Sequence, residues 1–166
     1  KSGAAGVHVA TDDERIAQAV RAHGHAAIMT RADHASGTDR LAEAAHKLGL
    51  GERQIVVNVQ GDEPLIAPRL ISQVARVLEK RRDAAVSTAC HPIHDEASLG
   101  SPNVVKVVLD SQGYALYFSR SRIPYPREAA ALCYRHAGIY GYRVGFLKRY
   151  ARLKPSPLEK AEALEQ

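Results

Sequence analysis

Four short β-prone runs alternate with three punctuated amphipathic segments over the first 90 residues, and this order narrows the folds open to the chain more than any other feature. Val7-His-Val-Ala10 is followed by Thr11-Asp-Asp-Glu14, a spacing that reads as a capping box on Thr11 and Glu14. Ile16, Ala19, Val20 and Ala22 then recur at helical spacing to about His23, where Gly24 supplies a stop. Ala26-Ala-Ile-Met29 reads as the next strand. A polar loop over 30–37 leads into a helix from about Thr38 to Leu48, with Gly49 behind it. Gln54-Ile-Val-Val-Asn-Val59 is almost continuously apolar, as expected of a strand buried on both faces in a parallel sheet. A third helix, about Pro68 to Arg82, carries Leu70, Ile71, Val74, Val77 and Leu78 on one side, and Ala84 to Cys90 returns to β character.

Composition agrees with this alternation. The chain of 166 residues has 27 alanines but two Phe and no Trp, so its apolar material suits helices packed closely on a sheet. From Asn103 the texture changes. Val104-Val-Lys-Val-Val-Leu109 and Tyr114-Ala-Leu-Tyr-Phe118, joined by Asp110-Ser-Gln-Gly113, predict an antiparallel hairpin. A further strand is expected over 137–144. Ser156-Pro-Leu-Glu159 repeats the capping logic at the start of a helix expected to reach the last residue. The fold class is therefore α/β: one domain over 1–166, an open, mostly parallel sheet with helices on both faces and a β-hairpin insertion.

No apolar run approaches the roughly 18 residues that span a bilayer, and no leader pattern opens the chain, so membrane and secreted classes are not expected. Cys90 and Cys133 have no neighbour at metal-ligand spacing, which makes a reducing cytoplasm the default. The formal charge of +5 suits nucleic acid, an anionic surface or an anionic small substrate, and its sign alone does not choose among them. Lys80-Arg81-Arg82 reads as a solvated helix C-terminus favoured by the helix dipole.

Three constellations carry chemistry. Val57-Asn-Val-Gln-Gly-Asp-Glu-Pro64 passes from strand to loop at the sheet end where α/β folds bind ligands. There Gly61 admits close backbone approach, and Asp62 offers the hard oxygen that Mg²⁺ prefers; a simple turn, with Asp62 bonded to its own backbone, fits the same residues. Thr30 to Arg40 sets backbone amides and the Ser36 and Thr38 hydroxyls at a helix start, as an anion or base site or as a plain helix cap. Tyr117-Phe-Ser-Arg-Ser-Arg122 and Tyr134-Arg-His-Ala-Gly-Ile-Tyr-Gly-Tyr142 gather guanidinium, imidazole and phenol groups. In strands, Arg120 and Arg122 share a face, as do His136, Gly138 and Tyr140, lining either an acid-binding wall or an ordinary sheet edge. Dinucleotide, P-loop, zincin and serine-hydrolase motifs are absent from the sequence.

Taken in order, these segments resemble the CMP-Kdo synthetases, the 3-deoxy-manno-octulosonate cytidylyltransferases. The likeness runs through Val9-Ala-Thr-Asp12, Met29-Thr-Arg-Ala-Asp-His34 with Ser36-Gly-Thr-Asp-Arg-Leu41, and the 57–64 passage. It continues through Pro102 to Asp110, Gly113-Tyr-Ala-Leu-Tyr-Phe-Ser-Arg120, Ile123-Pro124, Arg135-His136 with Gly138-Ile-Tyr-Gly-Tyr142, Pro155-Ser-Pro-Leu-Glu159 and Leu164-Glu-Gln166. The resemblance implies a nucleotide-diphospho-sugar transferase-like fold that moves CMP from CTP to the anomeric hydroxyl of Kdo and releases pyrophosphate for lipopolysaccharide synthesis. It makes Asp62 a Mg²⁺ ligand and Gln60 a catalytic contact to sugar or nucleotide. Arg31, Ser36, Gly37 and Asp39 fall in its cytidine segment. Arg120, His136, Tyr140, Glu165 and Gln166 fall on its Kdo positions. It also implies a homodimer, expected through the 104–118 hairpin, with no nucleic-acid or membrane partner. The family's N-terminal Pro-Ala-Arg and Pro-Gly-Lys-Pro loop and its C-terminal metal-binding Asp are not in this sequence, so an excerpt is expected. Within enzymes the alternative is a sialic-acid-type cytidylyltransferase; outside them it is a basic α/β nucleic-acid-binding module.

Overall fold

In the computed structural model, which describes residues 2–34, 36–127, 131–150, 152–154 and 156–164, β1 (His8–Thr11) and β2 (Ala26–Met29) pair in parallel. The connecting α1 (Glu14–Ala22) starts on Asp13, whose carboxylate accepts the Arg15 N–H at 2.8 Å. Thr11 Oγ1 instead accepts the Asp13 N–H, so the capping box expected on Thr11 is corrected to an Asp cap two residues later. Asp is the stronger competitor because its charge also faces the positive end of the helix dipole. Gly24, at φ +75°, closes the helix as expected.

The chain divides into two compact units: Lys1–Ser87 with Ile139–Leu153, and Thr88–Gly138 with Lys154–Gln166. In the first, β3 (Ile55–Asn58) pairs antiparallel with the later half of β7 (Tyr134–Arg143), from Ile55 opposite Arg143 to Asn58 opposite Tyr140. Consecutive residues of β7 face opposite ways. Tyr142 packs with Ala45 of α2 (Gly37–Lys47) and Leu147 of α5 (Val144–Tyr150). A Cβ on neighbouring Gly141 would come within 2.6 Å of Ser87 Oγ and 3.0 Å of Val74 on α3 (Pro68–Lys80). Helices therefore cover both faces here, and Gly141 is required by the close approach of α3. Arg143 closes the C-terminus of α3, donating to the carbonyls of Leu78 at 2.6 Å, Arg81 at 3.1 Å and Ala84 at 2.9 Å. A cation there is favoured by the helix dipole.

In the second unit, β5 (Lys106–Leu109) pairs antiparallel with β6 (Ala115–Ser119) and, through Lys106 and Val107, with the early half of β7. The turn is built on Asp110, whose Oδ1 accepts the N–H groups of Gln112 and Tyr114, both at 2.8 Å, with Gly113 at φ +85°. Ile93, Leu99 and Cys133 form a small core. The unit also holds the later part of β4 (Val86–Pro92), α4 (Glu96–Gly100) and α6 (Pro157–Glu162).

The α/β class and the hairpin hold, and strand direction is corrected. Among the pairs with described register, β1–β2 is parallel, whereas β3–β7, β5–β6 and β5–β7 are antiparallel. A continuous apolar run such as 54–59 reports burial on two faces, and an antiparallel strand between helices satisfies that equally well. The final helix stops at Glu162. Ala163 takes a left-handed conformation at φ +49°, and Arg120 binds the Glu162 and Ala163 carbonyls that a longer helix would keep for itself. Neither α4 nor α5 was anticipated, being only five and seven residues long.

Candidate functional site

The loop before α2 is held by the helix it introduces. Ser36 caps α2, accepting the Asp39 N–H at 3.2 Å and donating to Asp39 Oδ2 at 3.1 Å. The helix-cap reading of this segment is thus the one observed, and the cap is made by residues matched to the cytidine segment. Arg40 Nη1 donates to Thr30 Oγ1 at 2.6 Å, and Arg40 pairs with Asp12 at 3.3 Å. Glu43 accepts the Arg31 N–H at 3.1 Å and Lys47 Nζ at 2.7 Å, and also meets His34 Nε2. Lys47, His34 and the Arg31 amide together pull the Glu43 carboxyl down to about 2. The Arg31 side chain is 69% exposed, with Nε 3.4 Å from Asp33 Oδ1 and 3.9 Å from Glu43 Oε2.

Gln60 follows β3, and its amide group lies 3.8 to 4.0 Å from where a Cβ on Gly37 would stand, so these two predicted positions meet. The Gln60 carbonyl accepts the Glu63 N–H at 3.1 Å, closing a turn with Gly61 and Asp62 at its corner. The turn is real, but among the described residues nothing hydrogen-bonds or pairs with the exposed Asp62 carboxylate, so the turn does not occupy it. No cluster of three or more His, Cys, Asp or Glu is present among the described residues. Asp62 thus offers an exposed carboxylate, a hard oxygen donor that fits Mg²⁺, an ion commonly held by one or two carboxylates plus substrate phosphates. Tyr140 stacks on Tyr142 with ring centres 5.9 Å apart.

These positions all lie in the first unit, while Arg120 and His136 lie in the second. His136 is buried, with Nε2 2.8 Å from Thr88 Oγ1 and the Phe118 ring edge-on at 4.9 Å; burial pushes its imidazole down to about 4. Arg120 donates to three carbonyls, from Nε to Glu162 at 2.6 Å, from Nη1 to Pro102 at 2.9 Å and from Nη2 to Ala163 at 3.1 Å. Among the described residues, one N–H on each terminal nitrogen has no acceptor. Glu165 and Gln166 lie outside the described residues.

A cytidylyltransferase family profile matches residues 1–166. The chain belongs to the cytidylyltransferase family. It is 54% identical over 182 residues to a 3-deoxy-manno-octulosonate cytidylyltransferase of Acidovorax sp. (strain JS42), covering 100% of this chain and 70% of that protein. A protein of the same name from Leptothrix cholodnii (strain ATCC 51168 / LMG 8142 / SP-6) is 55% identical, over 99% of this chain and 64% of the relative. A solved CMP:2-keto-3-deoxy-manno-octonic acid synthetase, complexed with CTP, superimposes with a TM-score of 0.92 at 50% identity, covering 99% of this chain and 67% of that one.

Two carboxylates of this cytidylyltransferase escaped the sequence reading. Glu43 lies on one α2 face with Arg40 and Lys47, at three- and four-residue spacing that was visible as a helical charge pattern. Glu162 accepts from Tyr117, Ser119 and Arg120, all more than 40 residues away in sequence, and no local pattern announces such a cluster.

Proposed function

We propose that this cytidylyltransferase transfers CMP from CTP to the anomeric hydroxyl of Kdo. The observation that carries this reading is the match, over 99% of the chain at 50% identity, to a synthetase complexed with CTP. The relatives' names weigh for the octulosonate over a sialic acid, and for an enzyme over a nucleic-acid-binding module. The Kdo hydroxyl oxygen attacks the α-phosphorus; its bond to phosphorus forms as the bond to the bridging oxygen of pyrophosphate breaks, and the hydroxyl proton leaves to solvent. Such a transfer asks the protein chiefly for positioning and charge neutralisation.

On this reading the 31–39 loop and Gln60 orient the cytidine nucleotide, and Arg120 and the neutral His136 meet the acid sugar. Asp62 would hold Mg²⁺, which would supply charge neutralisation at the phosphates and acidify the attacking hydroxyl. Two free thiols support a cytoplasmic compartment. Leu116, 67% exposed on β6, supports a homodimer through the hairpin.

Asp62→Asn in the full-length protein tests the metal role. Pyrophosphate release with Mg²⁺ should fall by on the order of 10³ while the circular dichroism spectrum is kept. Retention of more than about a tenth of the activity would remove Asp62 from the metal site.

A further inference from the structure

We propose that Glu162 is a positioning residue for the acid sugar, fixing Arg120; the inference rests on the assignment of Arg120 to the acceptor. Its Oε1 accepts the Tyr117 hydroxyl at 2.6 Å and the Ser119 hydroxyl at 2.7 Å, and its Oε2 accepts the Arg120 N–H at 2.5 Å. The contact is reciprocal, since the Arg120 side chain grips the Glu162 and Ala163 carbonyls. From the other side, Lys106 Nζ donates to the Arg120 carbonyl at 2.6 Å and to the carbonyls of Ser101 and Val104 at 2.8 Å each. Lys106 is fully buried, so all three of its donors are satisfied by carbonyls within the protein. Arg120 is thus held at its N–H, its C=O and its guanidinium.

The dependence runs through α6. A helix of six residues does not stand alone in water, so its place is set by what it docks on. Glu162 is its last residue, and the left-handed Ala163 turns the chain immediately afterwards. One carboxylate therefore joins α6 to the hairpin strand that leads into Arg120. Both Glu162 oxygens accept from protein donors, which makes it a support for the site. The Tyr117 hydroxyl first, then the Arg120 amide and Ser119, hold the carboxyl below its ordinary range, as a fixed charged acceptor requires.

Steady-state pyrophosphate release by the full-length enzyme, with CTP and Kdo varied separately, tests the proposal. Glu162→Gln replaces one accepting oxygen with a donor, so the KM for Kdo should rise on the order of tenfold while that for CTP stays within about twofold. Tyr117→Phe, which removes one bond and keeps the carboxylate, should raise the Kdo KM by about threefold and carries the test if Glu162→Gln fails to fold. An equal rise in both KM values, or no change in the Kdo KM, would overturn the positioning role. A wild-type enzyme that releases no pyrophosphate from CTP and Kdo would overturn the proposed function itself, a result independent of either variant.

Discussion

A histidine buried beside a threonine hydroxyl and an aromatic edge keeps no charge at neutral pH, and this bears on both chemistry and stability. On the proposed function His136 would offer the acceptor a neutral imidazole, so tightness toward an acid would come from guanidinium groups. In the unfolded chain the ring takes its proton near 6.5, but in the folded protein only near 4. Unfolding therefore takes up a proton between these values, and stability rises with pH across the window and levels off above it. The interval is worth about 3 kcal/mol at neutral pH, lost as pH falls through about 4. Urea unfolding at pH 5 and 7.5 should show a smaller difference for His136→Asn than for wild type. The Glu43 carboxyl, held down to about 2, titrates below this window, and groups common to both proteins cancel in the comparison, so an unchanged difference would mean that His136 is not buried neutral.

At the level of elements, α2 does more than present its N-terminus. One face, Arg40, Glu43 and Lys47, returns to the loop that precedes it, binding Thr30 Oγ1, the Arg31 N–H and the Met29 carbonyl respectively. On the proposed function a loop fixed this way would meet the nucleotide already ordered, and little entropy would be lost on binding. Glu43→Ala releases His34, Lys47 and the Arg31 amide together. We expect the KM for CTP to rise on the order of tenfold, with the KM for Kdo little changed, the mirror image of the Glu162 variants. Titrations of both substrates check it; an unchanged CTP KM would leave the α2 face a purely structural feature. The terminal α6 has the opposite character, with a capping box of Ser156 and Glu159 at its start and an end set by distant partners.

For the whole molecule, the hairpin leaves Leu116 open to solvent, and an apolar edge of this kind is commonly covered by a second copy. Leu116→Glu should convert a dimer to monomers by light scattering without loss of helix content; a folded variant that stays dimeric would move the interface elsewhere. The sequence by itself determined what is local. Alternation of strand and helix, the Ser36 and Ser156 caps, the Gly24 stop and the Asp110–Gly113 turn all follow from neighbours within a few residues, where backbone sterics and short hydrogen bonds decide. The order of motifs likewise identified the family, because many short matches in one sequence constrain each other. The tertiary structure alone decided strand direction, since a run apolar on both faces is consistent with parallel or antiparallel neighbours. It also decided that α6 ends at Glu162 and that Arg120 grips backbone carbonyls, because the partners in each case lie far off in sequence and are joined only when the chain is folded.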